Sequence, residues 1–356
     1  VADEAGGKFC WSHGLGWMYF DGVHWQRDTK KRRFAAIKNI VRNNYDQRQA
    51  IAAGIPKGEP KPVSVSCNSS TTINVAAMAE CELAVDPDVW TASPDDLNTP
   101  AGIVDLRTGA LRPCCADAYQ MHKTSVAPDP HSTPFLWNGF INQIFQGDEE
   151  LIQFVKRFLG YCLTGHRSEQ IVVFMHGVGS NGKSTLLDTV LALAGSYAMA
   201  LPTSVLLRKG NAGHTTDLAQ LQGIRLAISN ELERNEHWAE AQLKQLTGDA
   251  TMRARFMRQD NFEFEMTQKH IIAGNYKPRC SGGDPAMQRR MKMIPFNARF
   301  EGAQKDKDLP GRLLNEEGPG ILAWLIEGAV EWHKHGLETP ATINKASQEY
   351  MHEQDD

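Results

Sequence analysis

One octapeptide, residues 177–184, constrains the fold of this 356-residue chain more than any other feature. It reads Gly-Val-Gly-Ser-Asn-Gly-Lys-Ser and fits the pattern GxxxxGK[ST] at every fixed position. The apolar run 171–175 before it predicts a buried strand. Residues 184–194 behind it contain neither Gly nor Pro, which favours a helix. A glycine loop between a strand and a helix is the context in which this motif binds phosphate.

Each part of this loop has a physical role in holding an anion. Glycines let successive backbone N–H groups turn inward, and the start of the helix adds partial positive charge. We expect Lys183 to reach the β- and γ-phosphates of a nucleotide and the Ser184 hydroxyl to bind Mg²⁺. A chance glycine turn beside a lysine is the alternative, which the flanking pattern disfavours. The predicted nucleotide-binding residues are Gly177, Gly179, Ser180, Asn181, Gly182, Lys183, Ser184 and Thr185.

Two further apolar runs end in polar side chains that could serve the same nucleotide. Residues 224–231 predict a strand ending at Glu231, whose carboxylate can be aimed at Mg²⁺ and the attacking water. Glu233 is the reserve candidate for this acid. Ser184 and Glu231 are therefore the predicted metal ligands. A third predicted strand ends at Asn275, whose amide can bind the water or the γ-phosphate.

Arg289 and Arg290 follow the predicted Asn275 strand. A guanidinium can stabilise the charge that spreads over the phosphoryl group during its transfer. A surface salt bridge is the alternative role for this pair. We predict the catalytic residues to be Lys183, Glu231, Asn275 and Arg290.

The region that contains these arginines is basic, although the whole chain carries a net charge of −4. Between residues 244 and 299, 11 Lys and Arg residues oppose 5 Asp and Glu residues. Residues 251–257 and 262–266 alternate like the two strands of a hairpin. Its arginines could meet a nucleic-acid backbone, or the hairpin could be an ordinary solvated surface. The predicted nucleic-acid contacts are Lys244, Arg253 and Arg258.

The first 130 residues contain no catalytic constellation. Aromatic and β-branched residues flank Asp21-Gly22, which predicts a hairpin over 14–28 in which Trp17 and Trp25 could pack together. Other predicted elements are helices over 30–53 and 69–83, a hairpin over 103–111, and helical segments over 133–163 and 309–335. The sequence ends at Asp355-Asp356 without a clear terminal element.

Composition places the chain among ordinary globular proteins, with 41% hydrophobic and 22% charged residues. No apolar run approaches the roughly 20 residues of a membrane span. The seven cysteines include no CxxC pair, and the 12 histidines show no HxxxH or HExxH spacing. We therefore expect a reduced, cytoplasmic chain without structural zinc, whose histidines are scattered over surface and core.

The motifs, in this order, resemble those of superfamily 3 helicases. More narrowly, the chain is similar to the C-terminal helicase part of phage and plasmid primase–helicases, a group that includes the poxvirus enzymes. Segments 98–113 and 137–165 resemble the domain that precedes this helicase, and 319–324 resembles its tail. The residues that carry the resemblance are 177–184, Asn230-Glu231, 243–249, Asn275, Arg289-Arg290 and 294–296.

The resemblance implies an α/β fold with an AAA+-like P-loop ATPase core, a preceding mixed α+β and helical domain, and a helical C-terminal tail. It implies a ring, usually a hexamer, that uses ATP and Mg²⁺ to move along single-stranded or forked DNA. Lys183 and Ser184 match the phosphate and Mg²⁺ residues, Glu231 the catalytic acid and Asn275 the sensor. Arg290 matches a finger inserted into the neighbouring subunit's site, although Arg289 could hold that role. Lys244 and the 258–261 tip match the region of the central-channel hairpin.

One departure from the family pattern concerns Mg²⁺, because Asn230 stands where many members have an acid. No primase motif is visible, so a primase domain would lie upstream of Val1. The implied division is an N-terminal domain over 1–130, a helical linker over 131–165, the ATPase over 166–300 and a helical segment over 301–356.

Three functions compete on this sequence. The leading one is an ATP-dependent DNA helicase of a phage or other mobile replicon, in the host cytoplasm if phage-encoded. The second is a P-loop kinase of a small molecule, which explains 177–184 but not the matched spacing of the later motifs. The third is a DNA-associated assembly module that binds ATP without unwinding. DNA-stimulated ATP turnover would separate all three.

Overall fold

A computed structural model describes residues 6–55, 68–90, 93–208, 215–230, 236–255, 261–280, 284–302 and 305–353. They form two compact units. The first consists of Val1–Ala92 with Cys114–Met121, and the second of Ser93–Pro113 with His122–Asp356. The four-part division predicted from the sequence remains a prediction.

The first unit is a small sheet with two helices. Strands β1 to β4 lie in the order β3-β2-β1-β4, antiparallel except for the parallel pair β1 and β4. Its elements are β1 (Phe9–Ser12), β2 (Gly16–Phe20), β3 (Trp25–Arg27), α1 (Arg32–Gly54), α2 (Ser69–Glu82) and β4 (Ala84–Val85). The predicted hairpin and both predicted helices are confirmed.

The expected contact between Trp17 and Trp25 is wrong, because the register pairs Trp25 with Phe20. Trp17 packs with Phe9 on one face of the sheet, and Trp25 packs in a separate cluster with Met18. Successive side chains of a strand point to opposite faces, so the residue opposite Trp25 decides which face it shares.

The second unit contains a five-stranded parallel sheet surrounded by helices. Before the sheet come β5 (Asp96–Thr99), β6 (Gly102–Asp105), β7 (Leu111–Arg112), α3 (Phe135–Ile144) and α4 (Glu149–Leu163). The sheet region contains β8 (Val172–His176), α5 (Lys183–Ala194), β9 (Ala198–Ala200), α6 (Thr215–Ala219), β10 (Leu226–Asn230), α7 (Glu240–Gly248), β11 (Thr251–Ala254), β12 (Phe262–Glu265), β13 (Lys269–Gly274), α8 (Pro285–Arg290) and β14 (Met291–Pro295). The tail contains α9 (Leu309–Glu316), α10 (Gly318–His335) and α11 (Ala341–His352).

The strands of this sheet lie in the order β14-β8-β13-β10-β9, and every neighbouring pair is parallel. The central strands are buried almost along their whole length, as expected for a parallel sheet covered by helices. Because the strands are parallel, their carboxyl ends meet at one edge. The residues that directly follow β8 and β13 leave from that edge and are therefore neighbours.

Helices α4 and α10 pack backbone to backbone on this unit. A Cβ atom built on Gly160 of α4 would lie 2.1 Å from the backbone nitrogen of Ala329. One built on Gly328 of α10 would lie 2.2 Å from the carbonyl oxygen of Lys156. The predicted start of α4 is also confirmed, since the Asp148 carboxylate accepts a hydrogen bond from the Leu151 N–H.

Helix α11 lies in the tail over 301–356 that was expected to be helical, although no clear terminal element was predicted at the end of the chain. It buries Ile343, Tyr350 and Met351, and its Ser347 hydroxyl accepts a hydrogen bond from the backbone N–H of Met293 in β14. Its apolar residues are too few for a strong helical period, so tertiary packing rather than local pattern decides the helix. No described helix is long and apolar enough to cross a membrane.

Candidate nucleotide-binding site

The loop between β8 and α5 has the geometry that its glycines predict. Gly182 has a φ of +86°, in the left-handed region that glycine adopts without strain. A Cβ on Gly182 would lie 2.5 Å from Ile144 Cγ2, and one on Gly177 would lie 2.3 Å from the Phe296 carbonyl oxygen. A Cβ on Gly179 would meet nothing within 4 Å. Local packing therefore requires glycine at 177 and 182, whereas Gly179 faces open space.

Asn181 holds the loop in this shape. Its side chain is 2% exposed, and its Nδ2 donates to the carbonyl oxygens of Val178 at 2.9 Å and Phe296 at 3.3 Å. The Phe300 N–H donates to the Ser180 carbonyl oxygen at 2.8 Å. The sequence predicted Asn181 as a nucleotide contact only. Its role in holding the loop against Phe296 was missed because Phe296 is distant in the chain.

The Lys183 ammonium lies inside the loop at 7% exposure. Its Nζ donates to the Gly177 carbonyl oxygen at 2.5 Å and to Asn181 Oδ1 at 3.2 Å. A longer contact, 3.4 Å, joins it to Asn275 Oδ1. Burial lowers the pKa of Lys183 from its usual range. Among the described residues no carboxylate pairs with this ammonium, and its hydrogen-bond partners there are all uncharged oxygens.

The contact with Asn275 follows from the sheet register. Strands β8 and β13 are adjacent, and Gly274 pairs with His176, so the residues after both strands meet at the same edge. The structure thereby brings Asn275 to Lys183, and its contact with the water or the γ-phosphate stays a prediction. Asn230 ends the next strand, where it pairs with Ala273 of β13 and is exposed. The predicted acid Glu231 and its reserve Glu233 lie outside the described residues.

The start of α5 offers further groups to an anion. Ser184 is exposed and Thr185 is partly exposed in its first turn, where backbone N–H groups have no partner within the helix. These are the residues that could hold the phosphates and the magnesium ion. Their chemistry fits: donors and an ammonium for the phosphates, and one accessible hydroxyl for Mg²⁺.

His176 is a residue of this site that the sequence analysis missed. It is the last residue of β8 and comes directly before the glycine loop. Its pKa is lowered, mainly by burial and further by the charges of Lys277 and Lys183. A neutral imidazole beside two ammonium groups makes the loop a region of positive potential. The signal was present in the sequence, since His176 ends an apolar strand just as Asn275 does.

The arginine pair lies elsewhere. Arg290 immediately precedes β14, whose first residue pairs with Val172, the first residue of β8, so it lies at the amino edge of the sheet. Its side chain is 9% exposed, and it donates to Thr247 Oγ1 and to the Ala286 carbonyl oxygen, both at 3.0 Å. Arg289 is exposed. The fold therefore does not bring either arginine to the loop edge of its own sheet.

The predicted nucleic-acid residues are distributed over two elements. Lys244 of α7 forms an ion pair with Asp284, the residue that caps α8. Arg253 is exposed on β11, directly opposite Glu263 of β12. The predicted hairpin is confirmed by this antiparallel pair, and its exposed face carries acids as well as arginines. Arg258 lies outside the described residues.

Comparison with known proteins gives matches for most of this chain. Residues 1–146 match the family model described as "D5 N terminal like". Residues 175–290 match a model described as "Family of unknown function (DUF5906)". The second match contains the glycine loop, Asn275 and the arginine pair.

Two viral proteins are similar in sequence. One is "Putative helicase L207/L206" of Acanthamoeba polyphaga mimivirus, 25% identical over 374 residues that cover 94% of this chain and 39% of that protein. The other is "Putative helicase 022R" of Frog virus 3 (isolate Goorha), 29% identical over 160 residues that cover 43% of this chain and 16% of that protein. The chain thus spans about two fifths of the length of the first relative and less of the second.

Solved structures show the same fold. "The A form apo structure of NrS-1 C terminal region-CTR" superposes with a TM-score of 0.57 at 14% identity, covering 96% of this chain and 71% of that one. A second apo structure of the same region gives a TM-score of 0.57 at 13% identity, with the same coverage. Most of the chain therefore follows a fold already observed, although the sequences have diverged far.

Proposed function

We propose that this chain is the ATP-driven motor part of a DNA helicase that replicates a virus or another mobile replicon, built on an AAA+-like P-loop core. The observation that carries the proposal is the buried ammonium of Lys183. It lies in a strand–loop–helix motif, touches Asn275 of the adjacent strand, and has no carboxylate partner among the described residues. A buried charge without a counter-charge is costly, and a bound phosphate would offset that cost.

In this proposal each part of the site has a defined role in ATP hydrolysis. The loop and Lys183 hold the β- and γ-phosphates, and Ser184 with Glu231 holds Mg²⁺, which neutralises the charge that develops on the phosphates. Glu231 takes the proton of the attacking water. Asn275, held 3.4 Å from the Lys183 ammonium, orients that water beside the γ-phosphate.

A guanidinium from a neighbouring copy would complete the site. Arg289 and Arg290 lie at the amino edge of the sheet, whereas the loop lies at its carboxyl edge, which supports a role toward another subunit. Arg290 matches the family finger, yet it is bonded to Thr247 in this chain. Arg289 is exposed, so it could reach a neighbouring subunit without first losing a hydrogen bond like that of Arg290 to Thr247. We infer a ring, with six subunits as the expected number.

The proposed DNA path follows the β11–β12 hairpin. Arg253 is exposed there, Arg258 belongs to the segment between the two strands, and Lys244 lies in the preceding helix. Single-stranded or forked DNA is the expected partner. The family match over 1–146 and the short coverage of the relatives support a longer protein, in which a primase domain is the expected companion.

Purified chain should therefore hydrolyse ATP slowly alone and faster with single-stranded DNA. Lys183→Ala removes the charge that holds the phosphates and should abolish turnover without unfolding, as circular dichroism would verify. A matched control is Lys277→Ala, which also removes a lysine near His176 but one that is ion-paired with Glu353; it should retain most turnover.

The same assay separates the alternatives. Turnover that ignores DNA but requires a small-molecule acceptor would favour a kinase. ATP binding without hydrolysis would favour an assembly module. Normal turnover by folded Lys183→Ala protein would contradict the site itself.

A further inference from the structure

Two histidines and one aspartate meet in the second unit, in segments that are far apart in the chain. Asp95 comes directly before β5, His166 follows the end of α4, and His333 lies in the last turn of α10. Their ligand atoms all lie within 4.8 Å of one another. The three residues are too far apart in the chain to form a recognisable metal-binding motif. The sequence therefore predicted scattered histidines and no structural zinc.

Both imidazoles present Nε2 to the same carboxylate oxygen. His166 Nε2 lies 2.7 Å from Asp95 Oδ1, and His333 Nε2 lies 3.0 Å from it. The second contact is too poorly aligned for a hydrogen bond, and His333 Nε2 is buried without any other partner among the described residues. A buried ring nitrogen aimed at a carboxylate but not bonded to it is an orphaned ligand atom.

The backbone around the aspartate and the first histidine is fastened independently of the three side chains. The Gly165 N–H donates to the Pro94 carbonyl oxygen at 2.7 Å. The buried Arg225 guanidinium donates to the carbonyl oxygens of Leu163 at 2.7 Å and Ser93 at 3.2 Å. The cluster is therefore held by buried structure on both sides rather than by mobile surface side chains.

Neighbouring side chains also orient the three groups. The Trp332 ring lies against both imidazoles, with ring centroids 5.6 Å from His166 and 4.6 Å from His333. The Arg107 Nε lies 3.5 Å from Asp95 Oδ2. That contact leaves Oδ1 to the histidines. Such supporting contacts fix ring and carboxylate orientation around metal sites.

We propose that Asp95, His166 and His333 bind one divalent transition metal ion, with Zn²⁺ as the best fit. The bound ion would link the residue before β5 to the ends of α4 and α10. Two imidazole nitrogens and one carboxylate oxygen are a ligand set that zinc takes in proteins, with water in the fourth position. Softer metal ions prefer the thiolates of Cys residues, and Mg²⁺ and Ca²⁺ prefer sites made only of oxygen ligands. Neither preference matches this set.

Metal binding requires only a small opening of the cluster. Zinc bonds to nitrogen and oxygen are about 2.0–2.2 Å, so tetrahedral ligand atoms lie roughly 3.4 Å apart. The present separations of 2.7 and 3.0 Å from the carboxylate oxygen must therefore widen by about 0.7 and 0.4 Å. Asp95 is buried and the two histidines are partly buried, so rotation of the histidine side chains is the simplest source of this opening.

The test uses the chain stripped with EDTA and measured without nucleotide. Titration with ZnSO₄ in a calorimeter should show one site per chain, and one zinc should remain after dialysis. Bound zinc should raise the melting temperature, because it binds the folded state. Co²⁺ in place of zinc should give the strong visible absorption of a four-coordinate site.

The decisive variants are His333→Asn and His166→Asn, each of which removes a proposed ligand. Each should weaken zinc binding by at least the roughly 10–100-fold that loss of a supporting contact alone causes, and should abolish the visible cobalt band. His335→Asn is the matched control, since it removes an exposed histidine from the same helix end and should retain the wild-type site. Equal zinc binding by the wild type and both cluster variants would overturn the proposal. So would a wild-type chain that binds no zinc, which would leave two imidazoles sharing one carboxylate. If a variant fails to fold, the wild-type cobalt spectrum alone decides.

Discussion

At the scale of single residues, the site depends on what surrounds Lys183. Its partners are a carbonyl oxygen and two amide oxygens, which accept hydrogen bonds but supply no charge. Burial lowers its pKa, so the structure favours the ammonium less than water does. A bound phosphate reverses this by adding a nearby negative charge.

The glycines of the loop give a prediction at the same scale. Gly177→Ala should lower the free energy of unfolding by about 1–3 kcal/mol, because its Cβ would meet the backbone oxygen of Phe296. Gly179→Ala is the matched control and should change stability by less than about 0.5 kcal/mol, since its Cβ meets no atom within 4 Å. Urea denaturation without nucleotide measures both, and equal midpoints for the two variants would contradict the loop geometry.

Much of this site could be predicted from the sequence because its signals are local. The loop, Lys183 and Asn275 each belong to a short motif, and the sheet brings them together in the expected way. His176 and the fastening role of Asn181 were missed. The Asp95 cluster was missed for a stronger reason: its members come from three segments, and only tertiary packing places them together.

At the scale of elements, the β11–β12 hairpin carries the proposed DNA contacts on a face of mixed charge. Arg253 and Glu263 are directly opposite each other, a cross-strand pair that contributes about 0.2–1 kcal/mol. The pair also lowers the net positive charge of the hairpin. DNA would therefore have to compete with Glu263 for the Arg253 guanidinium.

Removal of either charge tests this competition. Arg253→Gln should weaken binding of single-stranded DNA and reduce the slope of log affinity against log salt by about 0.7, the value for one phosphate contact. Glu263→Gln, the matched control on the same face, should leave the slope unchanged or strengthen binding. Fluorescence anisotropy at several salt concentrations measures both. An unchanged slope for Arg253→Gln would place the DNA path elsewhere.

Elements were predicted well where a strong pattern marks them. The Gly147-Asp148 helix start and the hairpins predicted over 14–28 and 103–111 follow local rules of cap and turn chemistry. The apolar strands follow from their runs of hydrophobic residues. Helix α11 lacks such a pattern, and the face on which Trp17 packs depends on register with a strand across the turn. Local pattern determines which element forms, whereas pairing and packing determine which residues meet.

At the scale of the whole molecule, the sheet places the glycine loop and the arginine pair at opposite edges. The loop follows the carboxyl ends of the strands, and the arginine pair precedes the first residue of β14. Strands of five residues place these edges roughly 16 Å apart. An interface between copies that joins one edge to the other is head-to-tail, and such interfaces form a ring when the rotation between subunits closes and an open filament when it does not.

Mixtures of inactive variants test this arrangement. Lys183→Ala subunits lack the phosphate site but keep the arginines, and Arg289→Ala or Arg290→Ala subunits keep the site. Each variant alone should lose ATP turnover, by about 10³-fold or more for the true finger. Mixing should restore part of it, since one interface can then pair an intact loop with an intact arginine.

The two arginine variants identify which residue acts. Arg290→Ala also loses bonds to Thr247 and Ala286, so its melting temperature is the necessary control, whereas Arg289 is exposed and its removal should leave stability unchanged. Absence of recovery in every mixture, with ring assembly intact by light scattering, would show that neither arginine acts across the interface.

The contact between α4 and α10 has a consequence for how this protein can evolve. When a side chain grows in a core, a shrinking neighbour can accommodate it, so paired changes drift through a lineage. At Gly160 and Gly328 the nearest obstacles are the main-chain atoms of the facing helix, which every amino acid carries. A second substitution elsewhere cannot remove these main-chain atoms. Both positions are therefore expected to resist genetic drift even where all the surrounding side chains have been exchanged.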